Sequence, residues 1–262
     1  MSNDVLVLEN RGPVTWLILN RPMAMNALDS GIISLFEQYL PIIAADDCCS
    51  VLVITGSGRA FCAGMDLKQV VEANAVAAGE MDILDRLCEN VLDPLRDFPK
   101  PVIAALNGIT LAGGLEMAMC ADLVVAAESA RIGDAHANFG VYPGAGGAAI
   151  LPRLVPLNIA KYLLLTGRTL SAEQMQHYGF VNEVVSSDSL QTETQKLAEH
   201  IAGNSPLAMR RMKSVANRAS DGSRSASLQR EQVAMRKHLR SWDFEEGIAA
   251  FTQKRKPRFR GY

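Results

Sequence analysis

A chain of 262 residues is long enough to bury one sizeable α/β core. With 48% hydrophobic residues, 21% charged residues and a net charge of −2, it reads as an ordinary globular protein, with no overall electrostatic case for a nucleic-acid or membrane partner. Its five cysteines form no C-x-x-C pair and no cysteine–histidine cluster, so a metal site is not expected and a reducing compartment is.

In chain order, MSNDVLVLEN has no basic segment followed by an apolar one, as a secretory leader would, and lacks the arginine-rich pattern of a transit peptide. VLVLE (5–9) and VTWLILN (14–20), separated by Gly12-Pro13, predict a hairpin. Ile32, Leu35, Phe36 and Tyr39 recur at helical spacing. VLVITG (51–56) predicts a buried strand leading into a glycine-rich loop. Residues 80–97 predict a helix stopped by Pro99 and Pro101, followed by a strand at VIAALNG (102–108). A short helix near Gly113 and a strand at LVVAA (123–127) come next. The apolar region 101–127 contains Asn107, Glu116 and Asp122, which argues against a membrane span and for a cytoplasmic protein.

From about residue 156 the pattern turns helical. Ser171-x-x-Gln174 is a capping-box signal, and Ser205-Pro206 pairs an N-cap with proline at N1. Further helices are predicted over 188–203, 206–219, 223–240 and 243–254. Strand–helix units followed by a helical end predict one α/β core with a helical extension. The last stretch carries Lys254, Arg255, Lys256, Arg258 and Arg260 without an acid, so a basic tail sits on an acidic body.

Two glycine-bearing loops follow strands: GSGRAFCAGMDLK (56–68) and NGITLAGGLEMAMCAD (107–122). Neither is a P-loop or a dinucleotide fingerprint, and the chain has no G-x-S-x-G elbow. Such turns serve as plain turns, or they expose backbone N–H groups to an oxyanion. Glu116 is the odd residue in LAGGLEMAMC. A carboxylate there must be partnered or serve acid–base chemistry, because burying it alone is expensive. In RIGDAHANFG (131–140), Asp134 and His136 lie two positions apart, which in an extended strand places both side chains on one face. The aspartate would then orient the imidazole; the plainer alternative is a satisfied, half-buried histidine.

LNRPMAMNALD (19–29), ITGSGRAFCAGMDL (54–67), KPVIAALNGITLAGGLEMAMCADL (100–123), PGAGG (143–147) and EEGIAAFTQKRKPRF (245–259) together resemble the crotonase superfamily, the enoyl-CoA hydratase/isomerase family. The segments occur in family order across nearly the whole chain, and they specify the superfamily better than the reaction. The resemblance implies a spiral of repeated ββα units over residues 1–190, forming two roughly perpendicular sheets. It also implies a helical region over 191–262 that completes the CoA site and the oligomer interface, in a homotrimer or a dimer of trimers. The implied substrate is an acyl-CoA thioester, with no cofactor beyond the coenzyme A that the substrate carries. By motif position, the backbone N–H groups of Met65 and Gly113 form the oxyanion hole. CoA contacts fall to Ala24, Met25, Ala63, Asp66, Leu67 and Lys68, while Phe251 and Lys254 reach a neighbouring subunit's CoA.

Hydratases of this family use two glutamates. Glu116 matches the first, and His136 occupies the position of the second. The resemblance therefore implies syn hydration of a 2-enoyl-CoA, with Glu116 activating water and His136 holding that water or delivering a proton. Asp134 and Tyr142 are assigned orienting or accessory roles. The alternatives are double-bond isomerisation, C–C bond hydrolysis, decarboxylation, or a non-catalytic acyl-CoA-binding protein. The alanine-rich stretch QVVEANAVAAGEM (69–81) is either a substrate-selecting wall or a plain amphipathic helix.

Overall fold

The computed structural model describes residues 4–73 and 83–262. Most of the alanine-rich stretch, and the start of the helix predicted from residue 80, lie outside the described residues.

Among the described residues, ten strands form two sheets. The larger contains β1 (Leu6–Arg11), β2 (Val14–Leu19), β3 (Val51–Gly56), β5 (Val102–Leu106), β7 (Leu123–Ala127) and β10 (Glu183–Val185), in that spatial order. β1 and β2 form the predicted hairpin, and every later neighbour is parallel. The smaller contains β4 (Ala60–Cys62), β6 (Ile109–Leu111), β8 (Arg131–Gly133) and β9 (Thr169–Ser171), with β4, β6 and β8 parallel. Three times in succession the chain lays one strand in the large sheet and the next in the small one: β3–β4, β5–β6 and β7–β8.

The helices are α1 (Ser30–Ala45), α2 (Leu67–Ala73), α3 (Ile83–Leu87), α4 (Asp93–Arg96), α5 (Gly113–Ala118) and α6 (Leu151–Leu154), then α7 (Leu157–Thr166) and α8 (Ala172–His177). The C-terminal set is α9 (Leu190–Ala202), α10 (Pro206–Asn217), α11 (Arg224–His238) and α12 (Trp242–Thr252). A π-helical turn over Cys88–Leu92 joins α3 to α4, so the described part of the predicted 80–97 helix is continuous but underwound at its middle. Among the described residues, no helix is long and apolar enough to cross a membrane.

The large sheet is buried on both faces, which explains its near-continuous apolar strands. Period-two alternation sorts their side chains into two cores. Leu17, Leu19, Leu52, Ile54, Val102, Ala104, Leu106, Val124 and Ala126 face the main core, under α1. Val14, Trp16, Val51, Val53, Ile103, Ala105, Val125 and Ala127 face the other side, where Leu190 and Ala198 of α9 cover them. The first helix of the C-terminal set is thus packed on the large sheet.

Local signals behave as their chemistry dictates. Asp29 caps α1 by accepting from the Ile32 N–H at 2.8 Å. Ser171 and Gln174 close both halves of the capping box on α8. Ser205 accepts from the Ala208 N–H at 3.0 Å, with Pro206 in the first turn of α10. The helical pattern expected from residue 156 is interrupted by β9 and β10, three residues each, which complete the edges of the two sheets.

One close approach sets the position of α5. A Cβ on Gly114 would stand 2.2 Å from the Cys62 carbonyl oxygen and 2.8 Å from Cys62 Cβ, so the helix rests directly on β4. We expect Gly114→Ala to destabilise the protein by about 2–3 kcal/mol through overpacking against backbone. That corresponds to a fall of roughly 4–12 °C in thermal midpoint. An unchanged midpoint would mean that α5 can lift off β4 at no cost.

Candidate active site

The parallel strands of the small sheet end at a common edge, and the site is built from the loops that leave it. Met65 lies three residues beyond β4, Gly113 two beyond β6, and Asp134 immediately after β8. The Ala112 N–H donates to the Gly133 carbonyl at 3.2 Å, which holds the β6 and β8 exits together.

At the first two exits the backbones abut. A Cβ on Gly113 would lie 3.6 Å from the Met65 nitrogen, and one on Gly64 would lie 3.3 Å from the Gly113 nitrogen. Met65 is held by a bridge to Leu28: the Leu28 N–H donates to Gly64 at 2.8 Å, and the Asp66 N–H donates to Leu28 at 2.9 Å. Ala112, at φ 48° and ψ −120°, turns the chain from β6 into α5, so Gly113 opens that helix. Among the described residues, neither the Met65 nor the Gly113 N–H donates a hydrogen bond. Two adjacent, uncommitted donors suit a developing oxyanion.

Glu116, on the first turn of α5, is only 3% exposed. Its Oε1 accepts the Ala145 N–H at 2.9 Å and the Gly147 N–H at 3.0 Å. The carboxylate is thus partnered by nearby backbone donors, one of the two alternatives raised by the sequence.

His136 and Asp134 do meet, but not along a strand. β8 stops at Gly133, Ala135 adopts a left-handed conformation at φ 60°, and His136 begins a 3₁₀ turn over His136–Phe139. This turn brings His136 Nδ1 to 3.0 Å from Asp134 Oδ1, which also accepts the His136 N–H at 3.3 Å. The imidazole is 12% exposed. Burial alone would push its pKa down, but the bond to Asp134, that carboxylate's charge and the charge of Glu116 outweigh it. The net shift is upward from 6.5.

Gly147 lies between the two acids. A Cβ there would be 2.7 Å from Asp134 Oδ2, 2.7 Å from Pro143 Cβ and 3.5 Å from Glu116 Oε1. Asp134 Oδ2 is buried and has no hydrogen-bond partner among the described residues. Glu116 and Asp134 thus meet at one glycine that leaves them room, and His136 joins them through its bond to Asp134. Cys62 and Cys120 flank α5, but burial pushes both thiols up to about 12, which excludes a thiolate nucleophile near neutral pH.

The candidate CoA residues fall into two groups. Ala24 ends a 3₁₀ turn over Pro22–Ala24, and the Met25 carbonyl accepts the Ala63 N–H at 3.0 Å. Asp66 accepts the Lys68 N–H at 3.3 Å and begins the run into Leu67, at the start of α2. These six residues share one rim. Phe251, 84% exposed, and Lys254 lie at the end of α12, and among the described residues no hydrogen bond or ion pair joins them to that rim. Tyr142 is 80% exposed and makes no hydrogen bond to the Glu116–His136 group among the described residues.

Sequence reasoning missed two residues that hold the rim together. The Arg21 guanidinium bridges Asp29 and Asp66, each at 3.1 Å. Asn26, fully buried, accepts the Arg21 N–H at 2.8 Å and donates to the Ser57 and Ala60 carbonyls at 2.9 and 2.7 Å. Their only signal was an asparagine inside a short loop.

The enoyl-CoA hydratase/isomerase family model matches residues 9–262. The chain is 36% identical to the 2,3-dehydroadipyl-CoA hydratase of Escherichia coli, covering 98% of each chain. It is 35% identical to the crotonyl-CoA hydratase of Syntrophomonas wolfei, covering 99% of each. It is similar in structure to a Bacillus anthracis enoyl-CoA hydratase, with a TM-score of 0.91 and 33% identity over 98% of this chain and 100% of that one. Full-length similarity and a shared fold lead to one conclusion: the chain is an enzyme belonging to the enoyl-CoA hydratase/isomerase family.

Proposed function

We propose that the protein adds water across the double bond of a 2-enoyl-CoA thioester. The observation that carries this reading is the meeting of Glu116 and Asp134 at Gly147, with His136 bonded to Asp134, at the same sheet edge as the Met65 and Gly113 N–H groups. The thioester carbonyl docks on those two donors, which stabilise the enolate as it forms. Glu116 takes a proton from water, whose oxygen bonds to Cβ. His136, held by Asp134, delivers its proton to Cα as the enolate collapses. The Glu116 proton then returns to His136 through solvent, so one water is consumed and no redox partner is needed.

The CoA moiety lies on the rim formed by Ala24, Met25, Ala63, Asp66, Leu67 and Lys68. Phe251 and Lys254, exposed and apart from that rim, act on the CoA of a neighbouring subunit in a homotrimer or dimer of trimers. No cofactor is required beyond the coenzyme A of the substrate, and we place the enzyme in the cytoplasm. Relatives named as hydratases of crotonyl-CoA and 2,3-dehydroadipyl-CoA support this reading. A relative named 1,2-epoxyphenylacetyl-CoA isomerase, 34% identical over the full length, marks the second: the same acid–base pair would shuttle a proton along the acyl chain without adding water.

The test is loss of the conjugated thioester absorbance of crotonyl-CoA, with the product weighed by mass spectrometry. Hydration predicts a product heavier by one water. A product of unchanged mass favours isomerisation. Tight binding with no turnover of short, long or branched enoyl-CoAs would make the protein an acyl-CoA binder.

A further inference from the structure

We propose that Arg96 is a positioning residue for Glu116, acting through the glycine-rich backbone of Pro143–Gly147; this rests on the reading of Glu116 as the base.

That loop, Pro-Gly-Ala-Gly-Gly, supplies both donors to Glu116 Oε1, yet it has almost no side chains with which to anchor itself. Three glycines in five residues make its backbone costly to order. Something outside the loop must hold it. Arg96, the last residue of α4, does so: one Nη donates to the Ala145 carbonyl, while the other pairs with the Asp93 carboxylate. Ala145 is therefore held from both sides, its carbonyl by a cation and its N–H by Glu116.

The neighbouring glycine makes room for this grip. Gly146 sits at φ +127°, and a Cβ there would stand 2.9 Å from Ile150 Cδ1 and 3.3 Å from the Arg96 guanidinium. The side of the loop that a side chain would fill is the side that Ile150 and Arg96 occupy together. The Gly146 carbonyl also accepts the Ile150 N–H at 2.7 Å. A third tie comes from the C-terminal helices, where Asn217 Nδ2, at the end of α10, donates to the Arg96 carbonyl at 3.1 Å. Arg96 and Glu116 also act on common neighbours. The thiols of Cys88 and Cys120 feel the two charges with opposite sign, Arg96 lowering and Glu116 raising their pKa.

A surface arginine–carboxylate pair adds little to stability by itself. A charge-assisted bond that fixes the cradle of a catalytic carboxylate acts on rate instead, because small misplacements of a reacting group are expensive. Asp134 and His136 approach from the β8 side and, among the described residues, make no hydrogen bond to the Ala145 carbonyl, so Arg96 serves one half of the acid–base pair.

The experiment compares Arg96→Met, Arg96→Gln and Arg96→Lys in the full-length enzyme with crotonyl-CoA, beside Glu116→Gln. Arg96→Met and Arg96→Gln should lower kcat by roughly 10–100-fold with little change in KM. Arg96→Lys, which keeps a cationic donor, should recover part of kcat. Wild-type kcat in Arg96→Met or Arg96→Gln, or a loss confined to KM, would overturn the proposal. So would failure of every variant to fold, since Arg96 would then be a structural residue. If Glu116→Gln is fully active, the reading of Glu116 fails first. If Glu116→Gln is inactive while the Arg96 variants behave as wild type, only the role of Arg96 falls.

Discussion

Glu116→Gln should fold, retain acyl-CoA binding and hydrate crotonyl-CoA at least 100-fold more slowly than wild type, within the 10²–10⁴ range typical of a lost acid–base group. The amide is nearly isosteric with the carboxylate. Its oxygen can still accept the Ala145 and Gly147 N–H groups that now point at Oε1. What it cannot do at neutral pH is take a proton from water. The loss should therefore appear in kcat, with KM little changed, the pattern of an interaction needed in the transition state alone. Glu116→Ala is a poorer probe, because it strands the buried Gly147 donor at about 1–3 kcal/mol and the half-buried Ala145 donor, and leaves a cavity under the loop. Stopped or steady-state decay of the enoyl absorbance, with separate measurement of binding, reads the outcome. A Glu116→Gln enzyme within a few-fold of wild type would remove Glu116 from the chemistry and leave it as a loop anchor.

The sequence carries those parts of the architecture that rest on long apolar runs and local capping. β3 and β5 are continuous stretches of buried residues, β7 is buried after its first residue, and Ser171-x-x-Gln174 and Ser205-Pro206 are local chemistry that no tertiary contact overrides. The small sheet was opaque to periodicity, because its strands are three residues long and a period of two needs more than that to be seen. Glu116 was legible as a carboxylate in an apolar run. The Asp134–His136 contact was legible as well, though for a different reason from the real one: a left-handed alanine and a 3₁₀ turn close the pair that a strand was expected to align. Arg21, Asn26 and Arg96 were not legible. Arg21 meets Asp66 across 45 positions, and Arg96 meets Ala145 across 49, and nothing local to either arginine announces such a partner.

His136 should set the alkaline limit of activity. Its pKa is raised above 6.5 by Asp134 and Glu116 against the pull of burial, so the imidazolium persists to higher pH than in a free histidine. If the protonated ring delivers the Cα proton, kcat/KM falls as pH rises through the raised value. Asp134→Asn removes the bond and the charge that support the imidazolium, so the alkaline limb should move to lower pH. His136→Ala should lose on the order of 100-fold in kcat, together with the limb itself. Folding follows the same linkage. The raised pKa contributes stability that is fully present below the unfolded value near 6.5, and that stability is lost as pH rises through the folded value. Asp134→Asn should therefore lower the thermal midpoint more at pH 5.5 than at pH 8.5. Imidazole titration by NMR in wild type and Asp134→Asn gives the shift without reference to turnover. If the two titrations coincide, Asp134 does not support the charge. If the titrations differ while the alkaline limb does not move, His136 is a positioned polar neighbour of the water rather than the acid that completes the hydration.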